Sequence, residues 1–147
     1  MKLTRPQMDE LIDTHFRFEA TDDVAGVLAS LTDDAQHLVI PSPMGELHDK
    51  ARIADFYRML FRALKGEKVT PIRRLYGDDF VVDEAMWHGE VLDGGAFLED
   101  GKRGKVSFRL LHVFELRDGK ISSEKVWCDL AAIQGQLRAT AVAGGAR

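Results

Sequence analysis

The feature that most restricts this chain is a change of hydrophobic period near residue 65. Up to Leu64 the apolar residues recur mostly at helical spacing, with short extended pieces between Gln36 and Leu47. From Val69 to Leu130 they follow strand patterns broken by turn signals. Helices first and hairpin-linked strands second is the order of an α+β domain. A curled, mostly antiparallel sheet covered on one face by the N-terminal helices would bury one stripe of each helix and one face of each strand.

The helical half reads as three helices. Thr4-Arg-Pro-Gln7 carries a capping residue, a first-turn proline and a capping-box glutamine. Met8, Leu11, Ile12, His15 and Phe16 then form one stripe, which places His15 on the apolar side. Asp22-Asp23 can cap a short second helix that Thr32-Asp-Asp34 ends. Gln36 to Ile40 reads as a strand stopped by Pro41-Ser-Pro43, with Met44 to Leu47 a further extended piece. A third helix is expected from Asp49 to Leu64, with Ile53, Phe56, Tyr57, Leu60 and Phe61 on its stripe and Lys65-Gly66 as its stop.

The strand half reads as Val69 to Tyr76, Phe80 to Leu92, Val106 to Arg117 and Ile121 to Leu130. Asp118-Gly119 is a hairpin turn. Asp93 to Lys105 reads as a Gly-rich loop and Ala131 to Leu137 as a terminal turn or short helix. The expectation is one domain over residues 1–137, followed by a mobile Ala/Gly tail over 138–147.

Bulk properties narrow the function. The net charge of -4 in 147 residues gives no support to nucleic-acid or anionic-membrane binding. No apolar run approaches the roughly 20 residues of a membrane span. The N-terminus leads into an amphipathic pattern and not into a signal peptide. Cys128 is the single cysteine, which rules out an internal disulfide and fits a reducing cytoplasm. No CxxC or HExxH spacing occurs, so a metal site is not expected.

Individual residues each carry two readings. Asp129 sits among apolar residues at the end of the last strand. It is either a general acid/base whose pKa burial raises, or a cap for the following turn. His112 shares a strand face with Phe108, Leu110 and Phe114. It and His15 are either core histidines or donors to a developing oxyanion. Trp87, Trp127, Phe61 and Phe108 are either core or the lining of an apolar pocket. Plain alternation puts Trp127 and Asp129 on one face and Val126 and Cys128 on the other, unless a bulge intervenes. Arg73-Arg74 and Lys102-Arg103 read as solvated charges. Glu84 and Arg109 could pair across adjacent strands.

Several stretches in order resemble the nuclear transport factor 2-like superfamily in its SnoaL-like branch, over roughly residues 6–137. They are Leu31-Thr-Asp-Asp-Ala35, Ile53-Ala-Asp-Phe-Tyr57, His112-Val-Phe-Glu-Leu-Arg-Asp-Gly-Lys-Ile121 and Val126-Trp-Cys-Asp129. The resemblance implies a cone-shaped, cystatin-like α+β fold with a pocket open at one end, and homodimerisation through the outer sheet face. Residue by residue, it places His15 and His112 at the two oxyanion-hole positions of ketosteroid isomerases, with Tyr57 supporting the first. Asp129 falls at the acid/base aspartate of polyketide cyclases. The isomerase base is replaced by Ile40-Pro41, and the Arg-x-Asp pair of the epoxide hydrolases is missing at Glu84 to His88.

Two functions follow as expectations. One is a cofactor-free enzyme acting on a small apolar or aromatic carbonyl compound, with Asp129 as acid/base and His112 and His15 as oxygen donors. The reaction would be a cyclisation, isomerisation or dehydration. The other is a non-catalytic ligand-binding or dimerisation module of the same fold.

Overall fold

A computed structural model describes residues 2–145, with side-chain surroundings through residue 140. Helix α1 (Arg5–Ala20) begins with the expected capping box, in which Thr4 and Gln7 each bond the other's backbone. Asp23 caps α2 (Val24–Ala29). Strand β1 (Leu31–Ile40) starts earlier than the sequence pattern suggests. Thr32-Asp-Asp34 does not form a turn. It is an irregular stretch of β1 between the pairs Leu31–Ile121 and Gln36–Ser123, with Asp33 and Asp34 turned outward to Lys50 and Arg117. Leu47 then bonds back to His37 through both backbone groups.

Helix α3 (Lys50–Ala63), capped by Asp49, runs directly into β2 (Leu64–Tyr76). Lys65-Gly66 is therefore strand and not a stop. A β-carbon on the facing Gly89 would lie 2.3 Å from the Lys65 carbonyl oxygen, so the close approach of β2 requires glycine there. Strands β3 (Phe80–Val91), β4 (Gly104–Arg117) and β5 (Lys120–Cys128) complete the sheet. A single 3₁₀ turn, Gly94–Phe97, lies in the loop before β4. Asp118 and Gly119 both have positive φ, as a tight hairpin of this type demands. Helix α4 (Leu130–Gly145) extends well beyond the short terminal helix expected and covers most of the predicted tail. Residues 146 and 147 lie outside the described residues.

The sheet order is β1-β5-β4-β3-β2, with β1 parallel to β5 and every other pair antiparallel. The five-stranded mixed sheet is open. One of its faces packs on α1–α3 through Ile12, Ile53, Tyr57, Val81, Phe114 and Ile121. A second core joins Ile133 and Leu137 of α4 to Val91, Val106 and Phe108. Gln136 fastens α4 to β4 by bonding both backbone groups of Ser107, at 2.9 and 2.8 Å.

Arg74 is not a solvated charge. It lies 2.8, 2.9 and 2.8 Å from Asp9, Asp13 and Asp83, and so pins α1 to the sheet. Glu84 faces Arg73 at 3.6 Å, not Arg109. On the outer face, cross-strand register aligns Leu75, Val82 and Val113 in one row and Leu111 with Trp127 in the next. Among the described residues no helix is long and apolar enough to cross a membrane.

Candidate functional site

The two cores leave a cavity of about 340 Å³ between them, a size suited to a small organic molecule. Val39, Phe56, Leu60, Trp87, Phe108 and Leu110 give it apolar walls, and Pro41 to Met44 and the 3₁₀ turn border it. Besides Ser42 in that border, five polar residues interrupt the lining: Glu19, His37, Tyr57, His112 and Glu124. They come from α1, β1, α3, β4 and β5, so both the helices and the sheet contribute.

Glu124 is the centre of this group and is 1% exposed. A bulge in β5 puts it there. Glu115 pairs with Ser123 but Leu116 pairs with Ile121, leaving Ser122 as the extra residue. The insertion inverts the alternation, so Glu124, Val126 and Cys128 face the cavity while Trp127 faces out. Around the carboxylate, Tyr57 Oη donates across 3.0 Å to Glu124 Oε2 and lies 2.9 Å from Glu19 Oε1. His15 Nε2 is 3.1 Å from each of the same two oxygens. His37 Nε2 stands 3.9 Å from Oε2 and His112 Nε2 3.8 Å from Oε1, both beyond hydrogen-bond range.

The hydrogen-bond chain fixes the orientation of the His15 ring. Ser30 Oγ donates to the Val27 carbonyl at 2.5 Å, so at 2.7 Å it must accept from His15 Nδ1–H. Burial alone would lower the His15 pKa, but the Glu124 and Glu19 carboxylates outweigh it and push the pKa up to about 10. Burial alone would raise the Glu124 pKa. The His15 charge and contact, aided by His37 and His112, instead hold it well below the usual carboxylate range. His37 goes the other way: desolvation dominates and lowers its pKa, so it is a neutral imidazole at the cavity wall. Burial and the two carboxylates raise the Tyr57 pKa, which keeps its phenol protonated as a donor.

The sequence-based site is therefore partly relocated. Tyr57, Trp87, Phe108 and His112 line the cavity. His15 lies behind Glu124, not at the cavity surface, with its ring committed to Ser30 and the carboxylates. It and His112 approach opposite oxygens of Glu124 instead of a shared open point. Phe61 packs on Tyr57 at 5.6 Å in the helix core and does not reach the cavity. Trp127 is 38% exposed on the outer face. Asp129 is exposed and accepts from Ala132 N at 3.1 Å as the cap of α4. Plain alternation sends both of these inward, and the Ser122 bulge inverts it.

The sequence pattern gives no hint of Glu124, and His37 and Glu19 escape it too. Glu19 follows His15 by four residues on α1, a spacing that puts both on one helix face. His37 alternates with Ala35 and Val39 on the inner face of β1. Those two periodicities could have found them. Glu124 has no local signal, because the bulge that turns it inward depends on pairing with β4.

The cavity, the open sheet and the order of elements meet in a family match: a SnoaL-like domain profile covers residues 12–124. The chain belongs to the SnoaL-like domain family. Solved structures support the same fold. A LEH-like epoxide hydrolase from M. tuberculosis is 20% identical, with a TM-score of 0.71 over 94% of each chain. A SnoaL-like polyketide cyclase candidate from Jannaschia sp. CCS1 is 16% identical, with a TM-score of 0.77 over 93% of this chain and 96% of that one. A protein of ketosteroid isomerase-like fold from Catenulispora acidiphila DSM 44928, in complex with trimethylamine, is 13% identical, with a TM-score of 0.71 over 87% and 92%. No curated protein matches the chain in sequence. At these identities the SnoaL-like relatives establish the fold and leave the chemistry to the site itself.

Proposed function

We propose that this SnoaL-like protein binds a small, largely apolar carbonyl compound in its cavity and moves a proton on it. The observation that carries this reading is Glu124, a buried ionised carboxylate ringed by three histidines and a tyrosine in an otherwise apolar cavity. Glu124 is itself a weak base, because His15 and Tyr57 already stabilise its charge. Neutral His37 is the better proton acceptor, and the carboxylate 3.9 Å away favours the imidazolium that forms. His112, also in the cavity wall, is the donor for the developing enolate oxygen. Proton removal beside a carbonyl is the opening step of cyclisation, isomerisation and dehydration alike.

The test works without identifying the natural substrate. A panel of aliphatic and cyclic ketones is incubated with the protein in D₂O, and α-proton exchange is followed by NMR. Exchange above the buffer rate is expected for the ketones that bind, with a loss of about 10²–10⁴-fold in His37→Gln. If bound ketones exchange no faster than free ones, the proton-transfer role is wrong. A second reading, binding without catalysis, then takes its place. It is favoured by the way His15, Glu19, Tyr57 and Glu124 neutralise one another.

The outer-face rows of Leu75, Val82 and Val113 and of Leu111 and Trp127 support a homodimer through that face. Light scattering on Leu111→Glu tests it, with a monomer expected from the variant and a dimer from the parent.

A further inference from the structure

Beneath the cavity wall, three side chains from two elements bring ligand atoms together. His15 Nε2 stands 3.1 Å from Glu19 Oε1 and 3.1 Å from Glu124 Oε2, and all three atoms lie within 4.8 Å of one another. His15 is fully buried, and its Nε2 faces both oxygens yet meets hydrogen-bond geometry with neither. Glu124 Oε1 is likewise buried without a hydrogen-bond partner. The other imidazole nitrogen, Nδ1, donates to Ser30 Oγ, which is itself anchored to the Val27 carbonyl. A fixed partner on one ring nitrogen, with the other aimed at the carboxylate oxygens, is how proteins orient an imidazole toward a metal ion, which on binding displaces the Nε2 proton to solvent.

Charge points the same way. Two carboxylates against one imidazole leave a net negative charge in a buried site, even when the ring is protonated. A divalent ion beside a neutral imidazole brings the sum to zero. Donor atoms at 2.0–2.1 Å around a tetrahedral ion stand about 3.3 Å apart, close to the separations of 3.1 Å found here. Tyr57 Oη, 2.9 and 3.0 Å from the two carboxylate oxygens, and His37 Nε2, 3.9 Å from Glu124 Oε2, are further donors at hand.

We propose that His15, Glu19 and Glu124 form a binding site for a first-row divalent metal ion, Zn²⁺ being the ion the mixed imidazole–carboxylate set fits. Glu19, Tyr57 and Glu124 line the cavity, so the ion has a path of entry and sits where a bound carbonyl oxygen could meet it. The sequence conceals this site because Glu124 lies 105 residues beyond Glu19 and the set matches no metal-binding spacing. The inference uses the cavity described above but does not depend on proton transfer there, and its readout involves no turnover.

Full-length protein stripped with EDTA is titrated with Zn²⁺ by calorimetry and with Co²⁺ by visible absorption. One equivalent of each ion is expected to bind, and Co²⁺ should show the intense bands of a four- or five-coordinate site. Ser30→Ala should weaken Zn²⁺ binding by about 10–100-fold through the loosened imidazole, and Glu19→Gln by more. Glu19 is a partly exposed helix residue, so its variant should fold, which far-UV circular dichroism checks. His88→Ala, remote from the site, should bind like the parent. No saturable binding of either ion overturns the proposal. So does equal affinity in Glu19→Gln and the parent, which would place the ion elsewhere. Neither result bears on ketone exchange, so the two readings can fail separately.

Discussion

Replacing Glu124 with glutamine probes the centre of the site while keeping its volume. The variant retains a hydrogen-bond acceptor for Tyr57 but removes the charge that balances His15. Breaking a buried ion pair by removing one partner costs about 3–5 kcal/mol. Here His15 keeps Glu19 at 3.1 Å, and Glu19 is partly solvated, so the lower end, about 3 kcal/mol, is expected. For a chain of this size that is a fall in Tm of about 6–12 °C. The pH dependence follows from the two shifts. The Glu124 pKa is depressed in the fold, so its contribution is present above its ordinary value of 4.5 and is lost as pH falls below it. The His15 pKa is raised, so its contribution is complete below its ordinary value of 6.5 and is lost as pH rises toward about 10. The gap between parent and variant should therefore be widest between those two ordinary values. Thermal and urea unfolding of both proteins in EDTA buffer, at about pH 4, 5.5 and 9, measures it. A variant as stable as the parent at the middle pH would show that the pair is not ionised, and the electrostatic argument would fall.

Three further outcomes follow from the placement of single residues. Asp129→Ala should lose the α4 cap and about 1 kcal/mol of stability, while ketone binding and exchange remain as in the parent. A large loss of exchange with intact binding would restore Asp129 to the chemistry. Trp87 lines the cavity and Trp127 does not, so quenching of tryptophan fluorescence by a bound apolar probe should survive Trp127→Phe and vanish in Trp87→Phe. Arg74→Met should destabilise by about 1–3 kcal/mol by leaving buried Asp83 without its partner, which chemical denaturation reads directly.

The α+β architecture was legible because it rests on local signals that the structure keeps: the Thr4–Gln7 capping box, the third-helix stripe and the Asp118-Gly119 turn. The misplaced strand boundaries share one cause. Tertiary pairing carried chain into strands where local residues suggested stops, at Thr32–Asp34 and at Lys65-Gly66. The candidate site was legible only for residues upstream of the bulge. Tyr57, Trp87, Phe108 and His112 lie on regular elements whose period holds, and they reach the cavity. Ile121 faces the core, and unbroken alternation from it would send Ser123, Lys125, Trp127 and Asp129 inward. One extra residue, Ser122, sends Glu124, Val126 and Cys128 inward instead.

The polar group at the cavity base argues against a purely structural role for these residues. An apolar set of similar volume in place of a buried ion pair is often neutral or stabilising by about 1–4 kcal/mol. This fold instead gathers Glu19, Glu124, Tyr57 and three histidines from five elements around a few oxygen atoms. It also devotes Ser30 to holding one imidazole in a single orientation. The triple pairing of Arg74 does the structural work of docking α1 at the other end of that helix, in a part-buried setting where desolvation costs less. The two clusters thus separate by burial and by access. The Arg74 cluster is closed on itself, whereas Glu124 and His37 line the space a ligand would fill. If the Glu124 group served the fold alone, a combined Glu124→Leu, His15→Phe exchange should leave stability equal or higher and ligand binding unchanged. A stable double variant that no longer binds the ketones or Zn²⁺ would assign the group to function.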